Sequence, residues 1–221
     1  PLHFWLPPAH GAAPVPASAV LSGAMIKAGL YGINAAVPLG GAAYADPGVV
    51  IMSAGLVTIF AALLLAARET SPKAVLGFSS VSQMGIIALG IGASVSVPEA
   101  WSVTLPVLAF LAAHHALAKG ALFLGTGAFA AQNSRVGAVA MTAVLLVPVL
   151  ILSGLPGFPG ALGKEALKSA LYEGPAGWVS WLTLALTLSG VVTTLIMARF
   201  LVQLWRERPT VPAWVTSDAL V

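Results

Sequence analysis

Seven ionisable side chains lie inside stretches that are otherwise almost wholly apolar. They are Lys27, then His114, His115 and Lys119, then Lys164, Glu165 and Lys168. A charge at the centre of a bilayer costs at least ~2.5–3.5 kcal/mol on insertion scales, so residues kept there are functional candidates. Their chemistry suits proton exchange. Histidine titrates near neutral pH, and a lysine shielded from water can release its proton in the same range. His115 and Lys119 are four apart and stack on one helical face, whereas His114 is turned about 100° away. A line of Lys and His joined by water is a physically sensible proton path, with Lys27, His115, Lys119 and Lys164 as its members and His114, Glu165 and Lys168 as auxiliaries. Lys164 and Lys168 share a face one turn apart; Glu165 points off it, towards a neighbouring helix. Plainer readings stand beside this one. Lys27 can snorkel or pair with a partner subunit, His114 can be a packing residue, and Arg68, Lys73 and the arginines from Arg199 to Arg208 read as solvated boundary charges.

Other chemistry finds little support. The chain has no cysteine, which excludes a disulfide framework, a thiolate metal site and a cysteine nucleophile. His3 and His10 are too far apart, in a segment that reads as irregular, to form a metal pair. No phosphate-binding glycine loop, nucleophile elbow or haem-like histidine pair is present, so no cofactor and no metal is expected. A formal net charge of +3, scattered along the chain, gives no reason to expect nucleic acid as a partner.

The elements that must position these residues are bilayer-spanning helices. Of 221 residues 58% are hydrophobic and 8% charged, and the mean hydropathy is +0.95. A soluble domain carries roughly 25% charged residues. The apolar residues fall in runs near the ~20 needed to cross a hydrocarbon core. Six spans can be drawn: 18–39, 49–67, 74–93, 103–131, an interrupted fifth over 136–172, and 178–205. Residues 1–10 read as the tail of an earlier helix. Because the chain opens at Pro1, a missing N-terminal half is expected. Small residues four apart, such as Ala28 and Gly32, suit close helix packing. Arg68, Lys73, Arg135, Arg206 and Arg208 fall at one set of loops and Asp46, Glu99 and Glu173 at the other. The positive-inside rule then places the basic loops and the C-terminus in the cytoplasm.

Two stretches break the pattern. Pro1-Leu-His-Phe-Trp-Leu-Pro-Pro-Ala-His10 runs on into Pro14 and Pro16. Gly154-Leu-Pro-Gly-Phe-Pro-Gly-Ala-Leu-Gly163 puts two prolines and four glycines inside an apolar segment. Proline removes a helical hydrogen bond and clashes with the preceding turn, and non-helical backbone at membrane depth survives only beside protein or cavity water. Paired interruptions of this kind point to inverted-repeat transporters; ordinary proline kinks are the alternative.

Four motifs, in order, then carry a resemblance. They are Pro1 to His10 with Ala13-Pro-Val-Pro-Ala-Ser-Ala19 and Gly23-Ala-Met-Ile-Lys-Ala-Gly-Leu-Tyr-Gly32; Ser71-Pro-Lys-Ala-Val-Leu-Gly-Phe-Ser-Ser-Val-Ser-Gln-Met-Gly85; His115-Ala-Leu-Ala-Lys-Gly-Ala-Leu-Phe-Leu124; and Gly154-Leu-Pro to Gly163-Lys164. From Pro1 to about Leu171 the chain resembles the antiporter-like proton-translocating membrane subunits of respiratory complex I (NADH-quinone oxidoreductase). The same family includes the large subunits of multisubunit cation/proton antiporters and the membrane subunits of energy-converting hydrogenases. The resemblance implies an all-α fold of about fourteen helices with two inverted repeats, each containing a broken helix. Residues 1–39 would end the first repeat, 48–205 would form the second, and 206–221 would be a cytoplasmic tail. It implies roles for Lys27 as the central lysine of the first half, for His115 and Lys119 on the relay helix, and for Lys164 as the broken-helix lysine. The implied function is proton or cation translocation by a non-redox subunit of a multisubunit, redox-driven complex in a prokaryotic inner membrane. Its partners would be other membrane subunits, the lipid bilayer, and H⁺ or Na⁺. A Na⁺/H⁺ antiporter subunit, a non-transporting scaffold and an anion carrier remain open alternatives.

Overall fold

The computed structural model describes residues 5–36, 45–172 and 176–208. His3, Glu173 and the end of the first expected span lie outside them. Among the described residues every regular element is helical: α1 (Leu6–Ala12), α2 (Val15–Val20), α3 (Ile26–Ala36), α4 (Ala45–Arg68), α5 (Pro72–Ser96), α6 (Trp101–Ala130), α7 (Arg135–Leu152), α8 (Pro159–Ala170) and α9 (Ala176–Arg206). Five of these helices, α4, α5, α6, α7 and α9, are individually long and apolar enough to cross a membrane.

The bundle is built around α5. Of its apolar stretch 83% is buried, against 28% for α7, so α5 is the central post and α7 is peripheral. Helices α1, α4, α6 and α9 pack on it. The α4–α5 seam is made of glycines. A Cβ on Gly55 would come within 2.7 Å of the Gly85 carbonyl oxygen, and one on Gly85 within 2.8 Å of the Gly55 carbonyl oxygen. Small residues let two backbones approach this closely where no hydrophobic effect drives association.

The outside of the bundle is as apolar as its core, and the charged side chains at mid-helix point inward. Leu117 is 77% exposed while Lys119, two residues on, is fully buried. Water would reverse that preference; lipid accounts for it. The two ends also differ. At one end the C-terminus of α4, the N-terminus of α5 and the C-terminus of α9 are tied together, with Arg199 Nη2 donating to the Glu69 carbonyl at 2.7 Å. Lys73 Nζ donates to the Ala13 carbonyl at 2.9 Å, and Trp205 Nε1 donates to Thr142 Oγ1 at 3.0 Å. Arg68, Lys73 and Arg206 share this end. At the other, Val97, Ala100, Leu171 and Trp178 gather around one small cavity, with Glu99 in the 3₁₀ turn Pro98–Ala100.

The structure departs from the sequence reading in three places. The first segment, read both as a helix tail and as irregular, is helical over residues 6–12 and not irregular there, because prolines in a first turn occupy positions whose N–H groups have no helical partner. The first expected span is a composite: a π-helical turn at Leu21–Met25 separates α2 from α3. Ala28 and Gly32 face outward, with nothing within 4 Å of a Cβ built on Gly32; the close packing they suggested is made by α4 and α5 instead.

Candidate functional site

Lys119 lies on α6 with no exposed surface. Its ammonium donates to the Leu76 carbonyl of α5 at 2.7 Å and to Ser79 Oγ. Ser80 Oγ donates to the same Leu76 carbonyl at 3.1 Å and shares a 2.7 Å hydrogen bond with Ser22 Oγ, 58 residues away in sequence. Lys27 Nζ in turn donates to the Ser22 carbonyl. Ser22, Ser80 and the Leu76 carbonyl therefore hold Lys27 and Lys119 to one polar cluster, Ser22 offering its carbonyl to Lys27 and its hydroxyl to Ser80. The first of these contacts starts in the π-turn Leu21–Met25, which contains Ser22. The turn's wider i→i+5 geometry displaces backbone groups from the α pattern, and Ser22 stands five residues before Lys27.

His115 lies one turn before Lys119 and is fully buried; neither ring nitrogen has a hydrogen-bond partner among the described residues. Lys27, Lys119 and His114 are all within electrostatic reach of it. His114 is half-buried on the adjoining face. Its Nδ1 is 2.9 Å from the Phe110 carbonyl, and its ring tilts against Phe110 with centroids 5.2 Å apart. The 100° separation read from the helical period thus places the two histidines in different surroundings.

Lys164 stands apart from this cluster. Helix α7 ends at Leu152, and the chain turns through Gly157 at φ +87°, a left-handed conformation that glycine adopts without strain, before α8 begins at Pro159. The break lies flush on α9. Gly154 N donates to Thr194 Oγ1 at 2.9 Å, and a Cβ on Gly154 would collide with the Gly190 backbone. The Ile151, Leu152 and Ser153 carbonyls, freed by the break, surround Gly160 so tightly that a Cβ there would lie 2.5–2.9 Å from them. Lys164 follows one turn later, 3% exposed, its Nζ without a partner. It lines a cavity of about 670 Å³ with Gly154, Pro156, Thr187, Gly190 and Thr194. Packing of Gly163 on Leu111 and Phe110 sets α8 beside the stretch of α6 one turn before His115, and Lys164 is within electrostatic reach of His114.

The auxiliary residues divide. Lys168 pairs with Glu165 at 2.9 Å, with side chains 16% and 70% exposed. Glu165 therefore partners its own helix rather than a neighbouring one, because the i,i+3 spacing brings the two side chains together along α8. Sequence reasoning missed Ser22, Ser79, Ser80 and His10. The run Ser79, Ser80, Ser82 in an apolar helix was the available signal for the first group. Among the described residues no three His, Asp or Glu side chains converge, so no metal centre is assigned.

A family model described as NADH:quinone oxidoreductase/Mrp antiporter, TM, matches residues 1–196. Hydrogenase-4 component B of Escherichia coli K12 is 32% identical over 197 residues, covering 78% of this chain and 28% of that protein. Na⁺/H⁺ antiporter subunit A1 of Staphylococcus haemolyticus is 35% identical over 191 residues, covering 78% and 24%. Formate hydrogenlyase subunit 3 of E. coli K12 is 29% identical over 188 residues, covering 78% and 31%. The chain thus spans about a quarter to a third of the length of these curated relatives. In the Mrp complex of Dietzia sp. DQ12-45-1b a chain superposes with a TM-score of 0.70 at 23% identity, covering 94% of this chain and 38% of that one, which establishes a common fold.

Proposed function

Because this chain belongs to the NADH:quinone oxidoreductase/Mrp antiporter transmembrane family, we propose that it translocates protons along its buried Lys–His line as the antiporter-like subunit of a multisubunit membrane complex. The observation that carries this reading is the polar cluster in which Ser22, Ser80 and the Leu76 carbonyl hold both Lys27 and Lys119. Lys27, Lys119, His115 and Lys164 are four titratable groups at membrane depth, three of them at most 3% exposed. A scaffold has no use for them, and each raises the cost of insertion. His115 then stands between Lys119 and the stretch of α6 on which α8 packs, and the cavity beside Lys164 serves as the exit. The relatives include a hydrogenase component and a Na⁺/H⁺ antiporter subunit at similar identity, so the second reading is a Na⁺/H⁺ antiporter subunit built on the same line.

In this proposal residues 1–39 close one repeat and 48–205 form the next, with 206–221 as a tail. Two short helices with proline in the first turn, α1 and α8, are each succeeded by a long helical stretch, which supports the division. Positive charge at one end puts that end, and the C-terminus, in the cytoplasm of a prokaryotic cell. Cysteines placed at Arg68, Arg135 and Arg206 are expected to resist an impermeant thiol reagent applied to intact cells and to react in inverted vesicles. Labelling of any one from outside would overturn the orientation.

The functional reading is tested in proteoliposomes holding the assembled complex, with luminal pH and Na⁺ indicators. His115→Ala is expected to lower proton flux about tenfold or more, as loss of a proton-transfer group does. His114→Ala should lower it about twofold at most, since that ring is bonded within its own helix. Equal effects of the two would contradict the relay. Na⁺ counterflow that tracks proton flux would select the antiporter reading.

A further inference from the structure

We infer that His10 and the cavity at the basic end of the bundle form the inlet through which protons reach Lys119. This rests on the relay reading above and adds to it a route and a residue.

His10 is fully buried on α1, and neither ring nitrogen has a hydrogen-bond partner among the described residues. Its ring stacks on Phe123 of α6, centroids 4.5 Å apart and planes at 25°. Phe123 is one turn beyond Lys119, on the side of the basic end. On α5 the ring lies against Gly77, where a Cβ would come within 3.1 Å of its Cδ2. Gly77 adjoins Leu76, whose carbonyl holds the Lys119 ammonium. On α6, then, His10 sits a turn past Lys119 towards the basic end, and on α5 it lies level with the Leu76 and Ser79 groups that hold the ammonium. Packing alone does not explain an imidazole here. A phenyl ring would fill the same space without leaving two polar atoms buried and unpaired, which costs on the order of 1–3 kcal/mol each.

Beyond the ring lies space for water. A cavity of about 160 Å³ opens between α2, α5, α6 and the end of α9, bounded by Val15, Lys73, Thr126, Phe129, Glu207 and Arg208. That is room enough for water. Thr126 is three residues past Phe123, and Lys73 is fixed to Ala13, three residues past His10. Glu207 places a carboxyl at the cavity rim; slight burial raises its pKa from the ordinary carboxylate value, with Lys73 opposing. Thr126, Phe123 with His10, and Lys119 therefore succeed one another at about one-turn intervals from cavity to relay. The cations within electrostatic reach of the ring are Lys119, Lys73 and Lys27.

The test uses proteoliposomes of the assembled complex and the variants His10→Phe and Lys119→Met. Phenylalanine keeps the stack on Phe123 and removes the nitrogens. The expected result is an about tenfold loss of proton flux for His10→Phe at wild-type assembly, partly recovered by acidifying the basic-end side, because supply has become limiting. A packing role would instead lower assembly, or lower flux equally at every pH. Wild-type flux in His10→Phe with an inactive Lys119→Met would overturn the inlet and leave the relay standing. Wild-type flux in both would overturn the relay itself. Should His10→Phe fail to assemble, His10→Gln, similar in size and unable to titrate, is scored by the same two readouts.

Discussion

Lys164→Gln is expected to reduce proton translocation to about a tenth of wild type or less, while Lys168→Gln keeps more than about half of it. Both lysines follow the break in the same helix, one turn and about 6 Å apart, and their surroundings separate them. Lys164 Nζ is buried without a partner and borders the 670 Å³ cavity between the break and α9, so its proton has somewhere to go. Replacing it breaks no hydrogen bond with the described residues and removes a charge at membrane depth, so assembly should be unimpaired. Lys168 is committed to Glu165 at 2.9 Å. A pair at this spacing on one helix contributes about 0.3–0.5 kcal/mol, so breaking it changes little. Proton flux measured for both variants in the same proteoliposomes decides between them. An inactive Lys168→Gln beside an active Lys164→Gln would shift the function to the Lys168–Glu165 pair.

Much of the fold was legible because the bilayer leaves few solutions. Apolar runs of sufficient length had to be helices, and the last five expected spans match α4 to α9 within four residues at either end, apart from the gap between α7 and α8. Gly154 to Gly163 announced the break through proline's missing donor and glycine's conformational freedom. What was not legible depended on position within a turn. Pro7 and Pro8 argue against a helix in its interior and for one at its start, and only the register of α1 distinguishes these. The π-turn at Leu21–Met25 carries no composition signal, yet it contains Ser22, which bonds Ser80.

The site was legible in its charges and opaque in its connections. Lys27, His115, Lys119 and Lys164 stood out because charge at depth is costly. The hydroxyls did not, since most serines and threonines in apolar helices satisfy themselves on their own backbone. Ser94 with the Gly90 carbonyl and Thr187 with the Thr183 carbonyl do this, whereas Ser22 and Ser80 reach across helices. His10 was passed over because its segment read as irregular, and its position against Phe123 and Gly77 exists only in the folded bundle. Glu165 was given a neighbouring-helix partner when the i+3 residue on its own helix was nearer.

The largest effect is expected at Lys119. Lys119→Met removes an ammonium that insertion scales charge at least ~2.5–3.5 kcal/mol. It also strips one bond each from the Leu76 carbonyl, which keeps Ser80, and from Ser79 Oγ, a loss on the order of 1–3 kcal/mol. These terms nearly cancel, so the variant should assemble. Transport should not survive, because Lys119 is the junction of the Lys27 contacts, His115 and the route past His10, and methionine carries no proton. The decisive measurement is proton flux into dye-loaded proteoliposomes holding the assembled complex, with wild type and Lys119→Met matched for subunit content. Flux at the passive leak for the variant is the result this account predicts; flux at the wild-type rate would contradict it.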